Sequence, residues 1–293
     1  MSTWLRVLSA LSLPLVLGVG VGWAQTQAAP AANPCATCHD DVVAAFANNP
    51  HTRTSSATVN KQITNICEGC HGDGTKHAAE GDKTLIQVPK GGGGAKVCLS
   101  CHHDKPGFEY TAMGFHSSAS VSCSECHSIH GAPAAPLLRT AVGSLCVSCH
   151  LEQKNTFAKP YAHFLGRGGI ECISCHNPHG GAGADRNLKK TYAGELPCAS
   201  CHPETQGPFV FTHVTGMAGN CMSCHEPHGS NNNKMLTRAR VDQLCLECHT
   251  TLPAGTLGPQ PPSFHDLRSP RYTNCTVCHV AIHGSNTSPM LLR

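Results

Sequence analysis

The 293-residue sequence predicts an elongated, mostly irregular protein: short α-helices on long loops, with little or no β-sheet. Three observations predict it. The composition holds 29 Gly and 20 Pro but only 5% aromatic and 13% charged residues, too poor in core-forming side chains for long helices or broad sheets. The pentad C-x-x-C-H recurs ten times and uses all 20 cysteines. The ten copies fall into five repeats of two.

The cysteine pairs are Cys35/Cys38, Cys67/Cys70, Cys98/Cys101, Cys123/Cys126, Cys146/Cys149, Cys172/Cys175, Cys198/Cys201, Cys221/Cys224, Cys245/Cys248 and Cys275/Cys278. Each is followed at once by a histidine: His39, His71, His102, His127, His150, His176, His202, His225, His249 and His279. Two thiols three residues apart and an adjacent imidazole form the attachment signal for c-type haem, in which the thiols add to the porphyrin vinyls and the imidazole binds iron. The spacing has a geometric reason, because positions i, i+3 and i+4 share one face of a helical turn. A disulfide scaffold requires no histidine after every second thiol. Zinc ribbons would leave the ten adjacent histidines unexplained. The reading that fits every copy is ten covalently bound haems c, and hence a multihaem cytochrome c whose short helices wrap a haem chain.

Residues 1–24 read as a cleaved signal peptide, with Arg6 in the n-region, an apolar run from Val7 to Val21 and a small-x-small site at Gly22-Trp23-Ala24. An uncleaved anchor is the rival, but the run is short for a span of roughly 20 residues and Pro14 interrupts it. No cysteine precedes Cys35, so there is no lipobox. Export also suits the chemistry, since haem c is attached outside the bacterial cytoplasm. Gln25 to Pro34 reads as a mobile lead-in to a single haem-bearing domain over 25–293. Helical turns are expected at Ala36–Ala47, Val97–His103, Leu145–Lys154 and Val241–Thr250, and loops at Gly91–Gly94, Asn231–Asn233 and Gln260–Pro262. With about 27 mature residues per haem, the haems must supply the core, and the chain is expected to be largely unfolded without them.

Of the 21 histidines, eleven lie outside the motifs. One lone histidine follows each odd-numbered motif: His51, His116, His163, His213 and His265. Another follows closely after each even-numbered motif: His77, His130, His179, His228 and His283. Each unit, starting near 35, 98, 146, 198 and 245, therefore carries two motifs and two spare histidines. Ten spare imidazoles for ten irons predict bis-histidine ligation throughout. His103 is left over and is expected not to ligate, although it stands as a substitute for His77, whose H-G-D-G-T-K-H context is atypical. His179 cannot fold under the ring held by His176, so the simplest closed unit sends it to the preceding odd haem while His163 serves the even one. The same pairing is expected in every unit.

The polypeptide carries a formal charge of +3. Each ferric bis-histidine haem brings roughly one net negative charge through its propionates, so the oxidised holoprotein is expected near about −7. No basic cluster with interleaved aromatics points to nucleic acid.

Ten attachment motifs and the repeated C-H-x-P-H-G of His176 to Gly180 and His225 to Gly229 resemble the MtrA/DmsE family of periplasmic decahaem c-type cytochromes, with its porin-associated MtrA/MtoA/PioA type. The resemblance spans essentially the whole mature chain. It implies His130, His179 and His228, in H-x-x-H-G contexts, as distal ligands; His77 and the one-residue-longer H-V-A-I-H-G at His279 to Gly284 depart from that pattern. It further implies an electron-transfer protein rather than an enzyme. Electrons would pass across the periplasm and outer membrane inside a porin-like β-barrel, between periplasmic or inner-membrane cytochromes and an extracellular multihaem cytochrome or reductase. The flow would serve metal or DMSO-type reduction or Fe(II) oxidation. A soluble periplasmic shuttle is the alternative. A multihaem reductase is less in keeping with ten closed irons, because catalysis at haem needs an exchangeable axial position.

Overall fold

In the computed structural model the described residues are 33–53, 66–103, 115–118, 121–132, 134–165, 169–180, 187–189, 196–213, 221–249 and 269–292. The expected leader, the Gln260–Pro262 loop and His265 lie outside them. Short helices and turns dominate. The α-helices include Asp40–Phe46, Thr75–Glu80, Gly91–His102, Val142–Val147, Leu151–Phe157 and Val241–Leu246, of which the 12-residue Gly91–His102 is the longest. Among the described residues the strands are β1, Phe211–Thr212, and β2, Gly284–Ser285, paired antiparallel. None of the described helices is long and apolar enough to cross a membrane.

Each attachment motif is a single turn. In nine of the ten, the motif histidine N–H donates to the carbonyl of the first cysteine at 2.9–3.0 Å. The tenth, ending at His102, is the last turn of Gly91–His102. This hydrogen bond from residue i+4 to residue i closes the turn that puts both sulfurs and the imidazole on one face.

Two helices expected as continuous are broken at the motif histidine. Ala36–Ala47 divides into a 3-10 turn, Pro34–Thr37, and the helix Asp40–Phe46, with His39 between them at φ −125°, ψ 44°. Leu145–Lys154 likewise divides at His150, φ −90°, ψ 62°, which caps Leu151–Phe157. The imidazole has to leave one turn and open the next, so its backbone cannot stay helical. The loop expected at Gly91–Gly94 is instead the start of a helix. A Cβ at Gly94 would lie 2.6 Å from the Pro89 carbonyl carbon, so glycine is what lets this helix begin against the preceding turn.

The polypeptide builds almost no core of its own. Among the described residues Leu291 is the single buried apolar side chain, and none is fully buried. The other buried side chains are polar: Asn49, Ser122, Asn187, Ser230, Asp242 and Ser285. Several of these bond to main chain where two stretches meet, as Ser230 Oγ does to the Leu236 carbonyl at 2.7 Å. A chain so poor in buried apolar surface depends on its cofactors for a folded interior.

Candidate haem-binding sites

The sites are numbered 1–10 in the order of their motifs. At the even sites the chain returns in an extended strap beside the motif. Ser128 N–H donates to the Leu137 carbonyl and Arg139 N–H to that of Cys126; Asn177 bonds Asn187 and Lys189 bonds Cys175; Glu226 bonds Met235 and Thr237 bonds Cys224. The strap turns on a residue of positive φ, Leu137 (59°), Asn187 (54°), Met235 (56°) or Leu291 (52°). The carbonyl just before that residue accepts from the motif imidazole. His127 Nδ1 donates to Pro136 (3.2 Å), His225 Nδ1 to Lys234 (2.8 Å) and His279 Nδ1 to Met290 (2.6 Å), while His71 Nδ1 donates to Gln87 (2.8 Å). Nδ1 is thereby kept protonated, and Nε2 is the nitrogen that would bind an iron. Sequence reasoning missed these straps. Their signal is the repeated Leu-Leu-Arg at 137–139 and 291–293, echoed by Asn-Leu-Lys at 187–189 and Met-Leu-Thr at 235–237.

The spare histidines are brought to the motif histidines one to one. Ring centres lie 5.7–6.4 Å apart in nine pairs: His39–His77, His51–His102, His71–His130, His116–His150, His127–His179, His163–His202, His176–His228, His213–His249 and His225–His283. Two imidazoles bound to opposite sides of one metal, each by a bond of about 2 Å, place their ring centres about 6 Å apart. Ordinary aromatic packing spans the same range, but it would not select one motif and one spare ring nine times over. Among the described residues no three or more His, Cys, Asp or Glu side chains converge on a metal-sized space. Paired rings with the remaining positions left to a macrocycle fit haem rather than a bare ion. His279 is the motif histidine whose expected partner, His265, lies outside the described residues. His103 is exposed and its Nδ1 meets its own helix at the Leu99 carbonyl, 3.1 Å.

The pairing differs from the closed-unit scheme. His179 faces His127, not His150, and His163 faces His202, not His176. The lone histidine of one unit goes to the odd site of the next, and the close-spaced histidine of the next unit goes back to the even site of the first. His77, on His39, alone stays within its unit among the described pairs. The physical reason lies at the junctions. His116 Nδ1 donates to the Pro178 carbonyl (3.0 Å) and His163 Nδ1 to that of Pro227 (2.7 Å), the residues immediately before His179 and His228. Two residues to either side, main chains pair: Tyr161 with Ser230, and Phe211 with Ser285. Gly229 (φ 144°) and Gly284 (φ 151°) permit this approach, since a Cβ would meet the Thr156 carbonyl at the first and the Phe209 ring at the second.

The sulfurs form a second series. Within units the thiols of Cys35, Cys98, Cys146, Cys198 and Cys245 lie in hydrogen-bonding reach of those of Cys67, Cys123, Cys172, Cys221 and Cys275. Between units the neighbours are Cys70 and Cys101, Cys126 and Cys149, Cys175 and Cys201, and Cys224 and Cys248; in each pair burial first and the neighbouring thiol second push the former upward. First cysteines meet inside a unit and second cysteines meet across a junction.

Two of the cysteines expected to hold haem, Cys38 and Cys278, depart from this pattern. Neither is among the thiols that neighbour one another across the junctions, whereas exposure does not set them apart, since Cys70, Cys101, Cys149, Cys175, Cys201 and Cys248 are exposed as well. The reason is positional: they are the second cysteines of the first and last motifs, and no junction between units adjoins either one. What places them with their haem-binding partners is the motif turn alone, in which the Cys38 N–H donates to the Cys35 carbonyl and the Cys278 N–H to that of Cys275, both at 3.3 Å.

Five of the spare imidazoles favour the neutral form that iron binding requires. Burial, then the facing motif imidazole, holds His51, His130, His179, His213 and His283 below the ordinary histidine value. Phe46 supplies part of that burial at His130, its ring centre 6.3 Å away, and the Phe157 ring lies 5.1 Å from that of His228.

Comparison with known families follows this geometry. The doubled CXXCH motif family matches residues 28–76, 116–155, 163–207 and 213–254. The multihaem cytochrome MtrA of Shewanella baltica (strain OS185) is 34% identical over 233 residues, covering 75% of this chain and 68% of the relative. The chain belongs to the MtrA family of multihaem c-type cytochromes. Its paired motifs are attachment points for covalently bound haem c, and its function is multihaem electron transfer. Three of the four matched blocks of this MtrA-family chain begin at a lone histidine, His116, His163 or His213, and run through an even motif into the next odd one. The family repeat thus straddles the junctions across which the spare histidines are exchanged.

Proposed function

We infer that this chain binds ten haems c, each closed by one motif histidine and one spare histidine, and carries electrons along them in sequence order. The observation that carries this reading is the unbroken series of sulfur neighbours, Cys35–Cys67, Cys70–Cys101 and onward to Cys245–Cys275, which joins every attachment motif to the next. The motifs of Cys38 and Cys278 then stand at the two ends of the series, where a donor or acceptor would meet it. The haem iron supplies a reversible one-electron couple. The polypeptide's part is to hold successive sites in contact, to keep both axial positions filled and to fix each imidazole by a carbonyl at Nδ1. Filled axial positions support a carrier rather than an enzyme.

The wire serves passage across the periplasm and outer membrane, with residues 1–24 removed on export. Its main chain is mostly loops and single turns, and irregular backbone of that kind cannot face lipid. A porin-like β-barrel sheath resolves that conflict and leaves the two ends for a periplasmic or inner-membrane cytochrome and an extracellular multihaem cytochrome or reductase. The test is purification from detergent-extracted outer membranes, followed by low-temperature EPR and optical spectra with and without carbon monoxide. Recovery with a β-barrel, ten haems per chain, low-spin signals alone and no carbon monoxide shift are expected. Recovery from the periplasm free of any barrel would overturn the membrane-crossing role, and a high-spin haem that binds carbon monoxide would overturn closed ligation.

A further inference from the structure

At the second and third junctions a backbone carbonyl, that of Pro178 or Pro227, joins the two exchanged ligands. The first junction is built differently. His51 Nδ1 donates at 2.8 Å to the side-chain oxygen of Asn49, and the same amide donates through Nδ2 to the carbonyl of Ile129, the residue before His130. Asn49 is buried, 5% exposed, and every polar atom of its side chain is engaged, since Oδ1 also accepts from the His51 N–H at 3.0 Å. One of the two ring pairs it touches is unlike the rest. The planes of His51 and His102 cross at 75°, the widest angle of the nine pairs, whereas those of His71 and His130 lie within 25°.

We propose that Asn49 is a positioning residue for two haem sites at once, turning His51 across His102 at site 3 and anchoring His130 at site 2. The amide is suited to both tasks because it presents an acceptor and a donor on one rigid plane. A backbone carbonyl can only accept, so the side chain here replaces what the Pro178 and Pro227 carbonyls do by being adjacent in sequence to the second ligand. The crossed planes have a spectroscopic consequence: near-perpendicular imidazoles give a low-spin ferric haem its large-gmax EPR signal, and near-parallel ones give a rhombic signal.

This proposal rests on the bis-histidine reading, and the experiment separates the two. The ten-haem protein is compared with Asn49→Ala, Asn49→Asp and His51→Ala, each checked for unchanged haem content. Asn49→Asp keeps the acceptor for His51 and the cap on the following turn but loses the donor to Ile129. Asn49→Ala should abolish the large-gmax signal, and Asn49→Asp should retain it. In both, the reduced protein should gain a carbon monoxide shift amounting to one haem equivalent, as His130 loosens. A large-gmax signal that survives in Asn49→Ala, or carbon monoxide uptake unchanged in Asn49→Asp, would overturn the role of Asn49. If His51→Ala itself leaves every signal intact, the ligation reading fails instead.

Discussion

His116 donates through Nδ1 to the carbonyl of Pro178, 62 residues further along the chain and 3.0 Å away. Each of the two ligands brought together there, His116 and His179, belongs to the unit that the other one completes. His116 faces His150 in the third unit, and His179 faces His127 in the second. The pairing of these imidazoles and the docking of unit on unit are therefore one event.

A cut between units should expose this. A haem-loaded chain ending after residue 197 would lack His228, the partner of His176, and would leave His163 without His202. One carbon-monoxide-binding haem is expected among the six retained. Ligation closed within units would leave none.

His103 provides the opposite case. Its imidazole is engaged with Leu99 and faces none of the described motif histidines. His103→Ala should leave the EPR envelope and carbon monoxide response unchanged, whereas His77→Ala should open one site at His39. Equal effects from the two substitutions would argue against this division of roles.

Two glycines should respond to alanine with opposite sign. At Gly229 a Cβ would meet the Thr156 carbonyl and lie 2.9 Å from the Ala162 Cβ, with φ at 144°. Gly229→Ala is expected to cost roughly 2–4 kcal/mol from strain and overpacking together. Gly143, in the helix Val142–Val147, has open space around its Cβ position. Gly143→Ala should stabilise by roughly 0.5–1 kcal/mol through helix propensity. Denaturant midpoints of the two holoproteins measure both.

Acid should weaken the junctions. The folded values of His51, His130, His179, His213 and His283 are held down, first by burial and then by the facing imidazole. The unfolded chain then binds more protons than the folded one, so stability falls as pH drops below about 6.5 and through the lowered folded values. Iron competes with the proton for the same nitrogen and moves release further down. A pH titration of the holoprotein should show low-spin haem converting to high-spin on the acid side alone, with several sites contributing. Loss of low-spin character on raising the pH from neutrality would contradict this.

The attachment motifs and spare histidines were legible because their chemistry is local. A thiol, a second thiol three residues on and an imidazole beside it state their purpose within one turn, as at Cys172 to His176. The different surroundings of Cys38 and Cys278 were not, because a motif reads the same whether or not another unit packs beside it. The partner of His163 was not legible either, since both irons available to it satisfy the same spacing rule. Shorter loops favour the partner within the unit, but doubling a loop costs only about 0.6 kcal/mol. That is less than the main-chain bonds between Tyr161 and Ser230 and the His163–Pro227 contact can return. The helix at Gly91–Gly94 was illegible for a related reason, since glycine's low helix propensity is outweighed by its close approach to Pro89. The positive-φ strap residues fall on Leu137, Met235 and Leu291, types that carry no turn signal of their own.

The self-closed first site has a consequence for how such a protein can change size. Interior junctions repeat one exchange, so a two-haem module could be added or removed between any neighbours without orphaning a ligand, provided the end modules remain. His77, folded back on His39, acts as a terminator that needs no predecessor. Length in this architecture is then quantised, growing by pairs of haems, and a lineage could match its conductor to envelopes of different thickness by counting modules rather than redesigning contacts.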